Sequence, residues 1–225
     1  MKKAAFLFFI LLFPALFYIF LTTGKHNFIS LPYYGPKDVA AGSTDTIYHT
    51  IPPFSFTNQD GQTVTDKTFD GKIYVVDFFF ATCQSICPKM ATNMHVVQEA
   101  FKDYDSIMML SHTVNPEFDT AEVLKKYSNE VHANTKKWQF ITGNKKNLYD
   151  IAYKGYLLNA VEDTTQTDIQ AQFLHDEHFI LVDREKHIRG IYDGTSLVDV
   201  NKLIDDIKLL TAEYYIKQQK KNAKK

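Results

Sequence analysis

Cys83 and Cys87 are the only cysteines among 225 residues, and they stand in the run Cys83-Gln-Ser-Ile-Cys87-Pro88. A thiolate is both a nucleophile toward disulfides and a soft metal ligand, so the pair supports either dithiol exchange or metal binding. Both need the thiols to ionise, and the flanking sequence favours that. Upstream, Ile73-Tyr-Val-Val-Asp-Phe-Phe-Phe80 is short, apolar and rich in aromatic and β-branched residues, which predicts a buried strand. Downstream, Pro88 suits a first helical position, and Met90, Met94, Val97 and Phe101 recur at helical spacing. The dithiol is therefore expected in a strand-to-helix turn, where free amides and the helix dipole stabilise negative charge.

The compartment bears on the choice. Met1-Lys-Lys precedes an uncharged apolar stretch from Ala4 to Leu21, long enough at roughly 18 residues to span a bilayer, with Pro14 tolerated inside it. The exit, Tyr18 to Lys25, has neither an Ala-x-Ala-like cleavage site nor a cysteine for lipidation. The expectation is a retained single-pass anchor in the inner (cytoplasmic) membrane, with the lysines in the cytoplasm and the remainder on the periplasmic or exported side. Export favours disulfides, but a bridge across three residues closes too small a loop to constrain the unfolded chain much. A functional role for the pair follows. The net charge of −1 offers no electrostatic basis for binding nucleic acid.

The rest of the chain divides into a linker at 24–50, a folded domain at 51–215 and a basic tail at 216–225, after the anchor at 1–23. The linker carries Pro32, Gly35, Pro36 and Gly42, and its Leu31-Pro-Tyr-Tyr-Gly-Pro36 segment is aromatic enough to dock on the domain. Within the domain, Asp60-Gly61 marks a hairpin, and Ile107–Val114 and Trp138–Ile141 read as strands. Asp119 or Thr120 caps a helix through Leu124 and Tyr127, and Asn144–Tyr156 has helical spacing. Residues 163–170 read as a polar loop. Phe179–Val182 and Ile188–Tyr192 flank a turn, and a final helix follows Ser196.

A βαβ half followed by a ββα half predicts an α/β, thioredoxin-like domain, with a central mixed sheet flanked by helices, preceded by one transmembrane helix. Two departures from thioredoxin logic stand out. Three residues, rather than two, separate the cysteines. The segment Phe173-Leu-His-Asp-Glu-His178 has histidine where a cis proline would precede the hairpin strand. Two soft sulfurs and an imidazole suit copper. Met90 and Met94 fit core packing better than ligation. Asp77, inside an apolar strand, is either a modulator of thiol protonation or a hydrogen-bonded structural carboxylate. Asp119 reads first as a cap, and His95, His112, His132 and His187 have no metal-site spacing.

The combination of Phe78-Phe-Phe-Ala-Thr-Cys-Gln-Ser-Ile-Cys-Pro88, Asn115-Pro-Glu-Phe-Asp-Thr120, His175 ahead of Phe179-Ile-Leu-Val-Asp183, and Arg189-Gly-Ile-Tyr-Asp-Gly194 resembles the Sco/SenC family over about Ile51 to Leu210. Members are membrane-anchored, thioredoxin-like copper proteins that help assemble the dinuclear copper centre of cytochrome c oxidase. The resemblance implies Cys83, Cys87 and His175 as ligands of one copper per domain, Cu(I) with Cu(II) as a second state; His178 is the alternate histidine. It also implies as partners the copper-accepting oxidase subunit, a thioredoxin-like reductant and another copper donor. Asn115 replaces a common aspartate and Gln84 a common proline; the second change bears on the redox behaviour of the turn. The rival reading is a thiol:disulfide oxidoreductase with Cys83 and Cys87 catalytic. A peroxidase is disfavoured because Ala81-Thr82-Cys83 lacks the Thr-x-x-Cys spacing.

Overall fold

The computed structural model describes residues 12–14, 16–18, 30–39, 45–158 and 177–223, which fall into two units, Met1–Ser30 and Leu31–Lys225. In the first unit residues 12–14 and 16–18 are helical. Among the described residues no helix is long and apolar enough to cross a membrane, and most of the expected span lies outside them.

The second unit opens with an antiparallel pair, β1 (Lys37–Val39) and β2 (Thr46–Tyr48), inside the stretch expected as a linker. The hairpin β3 (Ser55–Asn58) and β4 (Thr63–Thr65) turns at Gly61, whose φ of +72° suits glycine. Asn58 secures that turn by accepting the Asp60 and Gln62 amides at 3.0 and 2.8 Å. Then follow β5 (Ile73–Phe79), α1 (Cys87–Ala100), β6 (Ile107–Thr113), α2 (Ala121–Glu130), β7 (Trp138–Thr142) and α3 (Lys145–Asp150), which runs into a π turn over Ile151–Gly155. The last elements are β8 (His178–Val182), β9 (Ile188–Asp193) and α4 (Leu197–Asn222).

Seven strands form one mixed sheet in the order β4-β3-β7-β6-β5-β8-β9, with β5, β6 and β7 parallel and the outer pairs antiparallel. The expected βαβ and ββα halves are both present, together with the β3–β4 hairpin on the β7 edge. Every residue of β5 and β6 is buried, because hydrophobic layers cover both faces of the sheet. Side chains alternate between the layers. Ile73, Val75 and Phe79 pack with Met90, Met94 and Val97 of α1 and Leu203 and Ile207 of α4. Tyr74, Val76 and Phe78 pack with Phe54, Phe56, Leu148 and Ile151. Met90 and Met94 are core residues, as expected. Helix α4 continues to Asn222, through residues expected as a solvated tail, and a Glu213–Lys217 pair at 3.0 Å, one turn apart, supports it there.

Leu31-Pro-Tyr-Tyr-Gly-Pro36 docks on this unit, and a single buried cation holds it. The Arg189 guanidinium, fully buried on β9, donates to the carbonyls of Leu31 at 2.8 Å and Pro32 at 3.1 Å. It also pairs with Asp183 at 3.0 Å and Glu213 at 3.2 Å, and Tyr33 covers its face at 4.2 Å. Asp183 accepts in addition the amides of Glu185 and His187, at 3.0 and 2.9 Å. Removing the cation strands a buried carboxylate, which costs about 3–5 kcal/mol. Arg189→Leu is therefore expected to lower unfolding stability by that amount in urea titration of the reduced protein. An unchanged midpoint would show that the clamp contributes nothing.

Candidate metal centre

β5 ends at Phe79, and the turn that follows is built around backbone donors. The Cys83 amide donates to the Phe80 carbonyl at 3.1 Å. Cys87 is the first residue of α1 and Pro88 the second, one place later than the sequence suggests; the missing N–H costs nothing there, since first-turn amides have no helical partner. Ile86 caps the helix without a side-chain hydrogen bond, so these amides are available to the sulfurs. Both thiols are unbridged and buried, at 7% and 4% exposure.

The pair is polarised. The Cys87 thiol donates to Cys83, and the Ser85 hydroxyl and the Ser85 and Cys87 amides add to it, which together hold the Cys83 thiol far below its ordinary value. Cys87 is pushed in the opposite direction, by its proton's engagement with Cys83, by burial and by the nearby charges of Cys83 and Asp77. The two thiols are thus inequivalent, Cys83 being the more readily ionised. The arrangement fits both a nucleophile with its resolving partner and a half-ionised metal site.

Two buried carboxylates stand behind the turn. Asp77 shares its sheet face with Val75 and Phe79, toward α1, and is opposite Ser111 in the β5–β6 pairing. The Ser111 hydroxyl donates to Asp77 and receives the Trp138 indole N–H at 2.7 Å. Burial nevertheless raises the Asp77 carboxyl to about 7. Asp77 is both a hydrogen-bonded structural residue and a neighbour that affects Cys87. Asp119 differs from its expected role: Thr120 caps α2, accepting the Val123 amide at 3.4 Å. The Asp119 carboxylate, wholly buried, receives the Thr113 hydroxyl and the Ala81 amide at 3.2 Å, so it ties the start of the dithiol turn to the end of β6. Nothing in the spacing of Asn115-Pro-Glu-Phe-Asp119 signals this tie, and cap chemistry is the commoner use of aspartate there.

The histidines separate clearly. His175 lies outside the described residues, as does the 163–170 loop. His178 begins β8 and is opposite Asp193. Strand alternation puts it on the face of Ile180 and Val182, whereas Phe179 and Leu181 face α1. His112 is fully buried among Phe54, Phe56, Phe78 and Tyr156, with ring centroids 4.8–6.1 Å away, and this apolar box holds it neutral, down at about 3. His95 and His132 line a groove between α1 and the end of α2, and His187 leans on Asp183 at 3.3 Å.

A family model described as SCO1/SenC matches residues 43–212. The SCO1 protein homolog of Bacillus subtilis (strain 168) is 28% identical over 166 residues, covering 73% of this chain and 84% of that protein. Among solved structures, BsSco, described as having a disulfide switch and as a member of the Sco family of cytochrome c oxidase assembly proteins, is 26% identical, with a TM-score of 0.59 and coverage of 70% and 92%. Bradyrhizobium japonicum ScoI, solved with copper bound, shares the fold at 23% identity, with a TM-score of 0.60 and coverage of 72% and 99%.

Two outcomes test this geometry. In the reduced protein, iodoacetamide at pH 6 should modify Cys83 about tenfold faster than Cys87, read by mass spectrometry; equal rates would remove the polarisation. For Asp77 the folded carboxyl sits at about 7 against an ordinary 3.8. The unfolded chain therefore loses its proton first, and stability falls as pH rises from about 4 to about 7, by on the order of 4 kcal/mol. Asp77→Asn should flatten that decline in urea midpoints measured across the window, whereas parallel curves would place the loss elsewhere.

Proposed function

Because this chain belongs to the SCO1/SenC family, we propose that it is a copper-binding chaperone, anchored by residues 1–23 in the inner membrane, that delivers copper to, or prepares, the dinuclear copper site of cytochrome c oxidase. The observation that carries this reading is the buried, unbridged Cys83–Cys87 pair, with its sulfurs in mutual hydrogen-bond contact at the start of α1. Two adjacent sulfur donors are a soft site, of the kind that suits Cu(I) as well as zinc. Copper is also the metal held by Bradyrhizobium japonicum ScoI.

In this mechanism copper is cargo. Cys83 offers a thiolate at once, and Cys87 gives up its proton on loading, so uptake releases a proton. His175 supplies the third donor as neutral imidazole. Transfer proceeds by exchange of these ligands for those of the copper-accepting oxidase subunit. A disulfide offers no thiolate, so oxidation of the pair blocks loading, and a thioredoxin-like reductant reopens it. Another copper donor fills the reduced site. The partners are thus proteins and the membrane, not nucleic acid.

The polarised dithiol also supports a second reading, a thiol:disulfide oxidoreductase acting on the acceptor's cysteines. There the Cys83 thiolate attacks one sulfur of the substrate disulfide and the other leaves as a thiolate. Cys87 then displaces the mixed disulfide, leaving this pair oxidised and both substrate thiols reduced.

Titration of the reduced protein with Cu(I) under competition separates the two. Wild type should bind one equivalent and the oxidised form none, while His175→Ala should weaken binding by about tenfold or more and His178→Ala should not. Unchanged affinity in His175→Ala removes that residue from the ligand set. Strong reductase turnover by a variant unable to bind copper favours the second reading.

A further inference from the structure

The sheet register gives this domain two poles. β5 runs from Ile73 to Phe79 and the dithiol turn follows it, whereas β8 runs antiparallel with Tyr74 opposite Val182. The 183–187 turn between β8 and β9 therefore lies at the far end, roughly 20 Å from the dithiol end by the rise of the strand. The Arg189 clamp on the entering chain is at this far end. Arg189, next to Ile188 in β9, holds the carbonyls of Leu31 and Pro32 and reaches Glu213 of α4. One turn later Lys217 pairs with the same Glu213.

Beyond that point α4 changes character. Lys217, Lys220 and Lys221 recur at i, i+3 and i+4, so they share one helix face, and all three are exposed. Lys224 and Lys225 come next in sequence, and no acidic residue occurs after Glu213. Tyr214 and Tyr215 precede the lysines; Tyr215 is 64% exposed, and Arg184 stacks on Tyr214 at 4.7 Å. Tyrosines beside lysines and an arginine, on a helix end, match the composition that suits a bilayer's headgroup layer.

We propose that the lysine-bearing end of α4 binds the anionic headgroups of the membrane that holds the anchor, and so keeps the dithiol pole turned away from the bilayer. The inference rests on the anchor reading. Residues 22–30, between the expected span and the clamped Leu31, reach at most about 30 Å even fully extended. The tether leaves the basic end free to come within a Debye length, about 10 Å, of a charged surface, and a surface contact fixes an orientation that the tether alone leaves free. With that end down, the thiols stand outermost, accessible to an acceptor that projects above the membrane.

The test uses full-length protein reconstituted in phosphatidylcholine vesicles with or without about one third phosphatidylglycerol. Lysines are acetylated with an amine-reactive reagent and read by mass spectrometry, with Lys126 and Lys146, each 81% exposed, as internal references. Labelling of Lys217, Lys220 and Lys221 should fall about fivefold in the anionic vesicles and recover in high salt. Equal labelling in both vesicles overturns the proposal. Alkaline carbonate extraction of the same samples isolates the premise: protein that resists extraction yet labels equally keeps its anchor and loses the surface contact. Protein that is extracted yet shows lipid-dependent protection keeps the contact and loses the anchor.

Discussion

The parallel pairing of β5 with β6, Asp77 opposite Ser111 and Phe79 opposite Thr113, is the constraint from which the site follows. It lines up Ser111 beneath Asp77 and Thr113 beside the start of the dithiol turn, where Asp119 then joins Thr113 to the Ala81 amide. A slip of one residue would send either Asp77 of β5 into the aromatic layer or His112 of β6 toward α1, depending on which strand moved, since alternate residues face opposite sides. Burial on both faces forbids that slip, because every position of the two strands must fill a packed layer. The hydrophobic pattern of two strands thereby determines where two sulfurs emerge.

Much of this was legible in the residues. The Ile73–Phe80 run announces a buried strand, and Pro88 with Met90, Met94 and Val97 announces the helix beyond it, so the dithiol turn could be located without coordinates. Its support could not. Asp119 is two residues before the Ala121 start of α2, where a cap is the local expectation, and only the Ala81 amide, 38 residues earlier in the chain, assigns it to the turn. His112 has no sequence neighbour that explains it, because its box comes from Phe54, Phe56 and Tyr156, tens of residues away. The Leu31–Pro36 segment, aromatic enough to be expected to dock, hid only its partner. Proline and glycine at 32, 35, 36 and 42 signal turns, yet Arg189, 157 residues beyond Pro32, converts the segment's carbonyls into anchoring points.

The fold also separates its two tasks. The clamp that receives the N-terminal segment joins β9, α4 and Asp183, and the thiol turn joins β5, α1 and the end of β6, at opposite ends of the sheet. Asn93 of α1, which donates to the Gly194 carbonyl at 2.7 Å, links the helix after the dithiol to the loop before α4. A continuous sheet between the ends keeps the clamp and the thiol turn structurally apart.

Buried ionisable groups in this domain resolve in three ways, and the third explains why the dithiol suits a cation. Asp183 is paired, its carboxylate 3.0 Å from the Arg189 guanidinium. Asp77 and His112 shed charge instead, one by holding its proton up to about 7 and the other by refusing a proton until about 3. Cys83 does neither: burial opposes its charge, and amide, hydroxyl and thiol donors offset that opposition without any basic side chain among them. Such donors hold an anion but do not neutralise it. A cation at the Cys83 sulfur would supply the balancing charge that these donors lack.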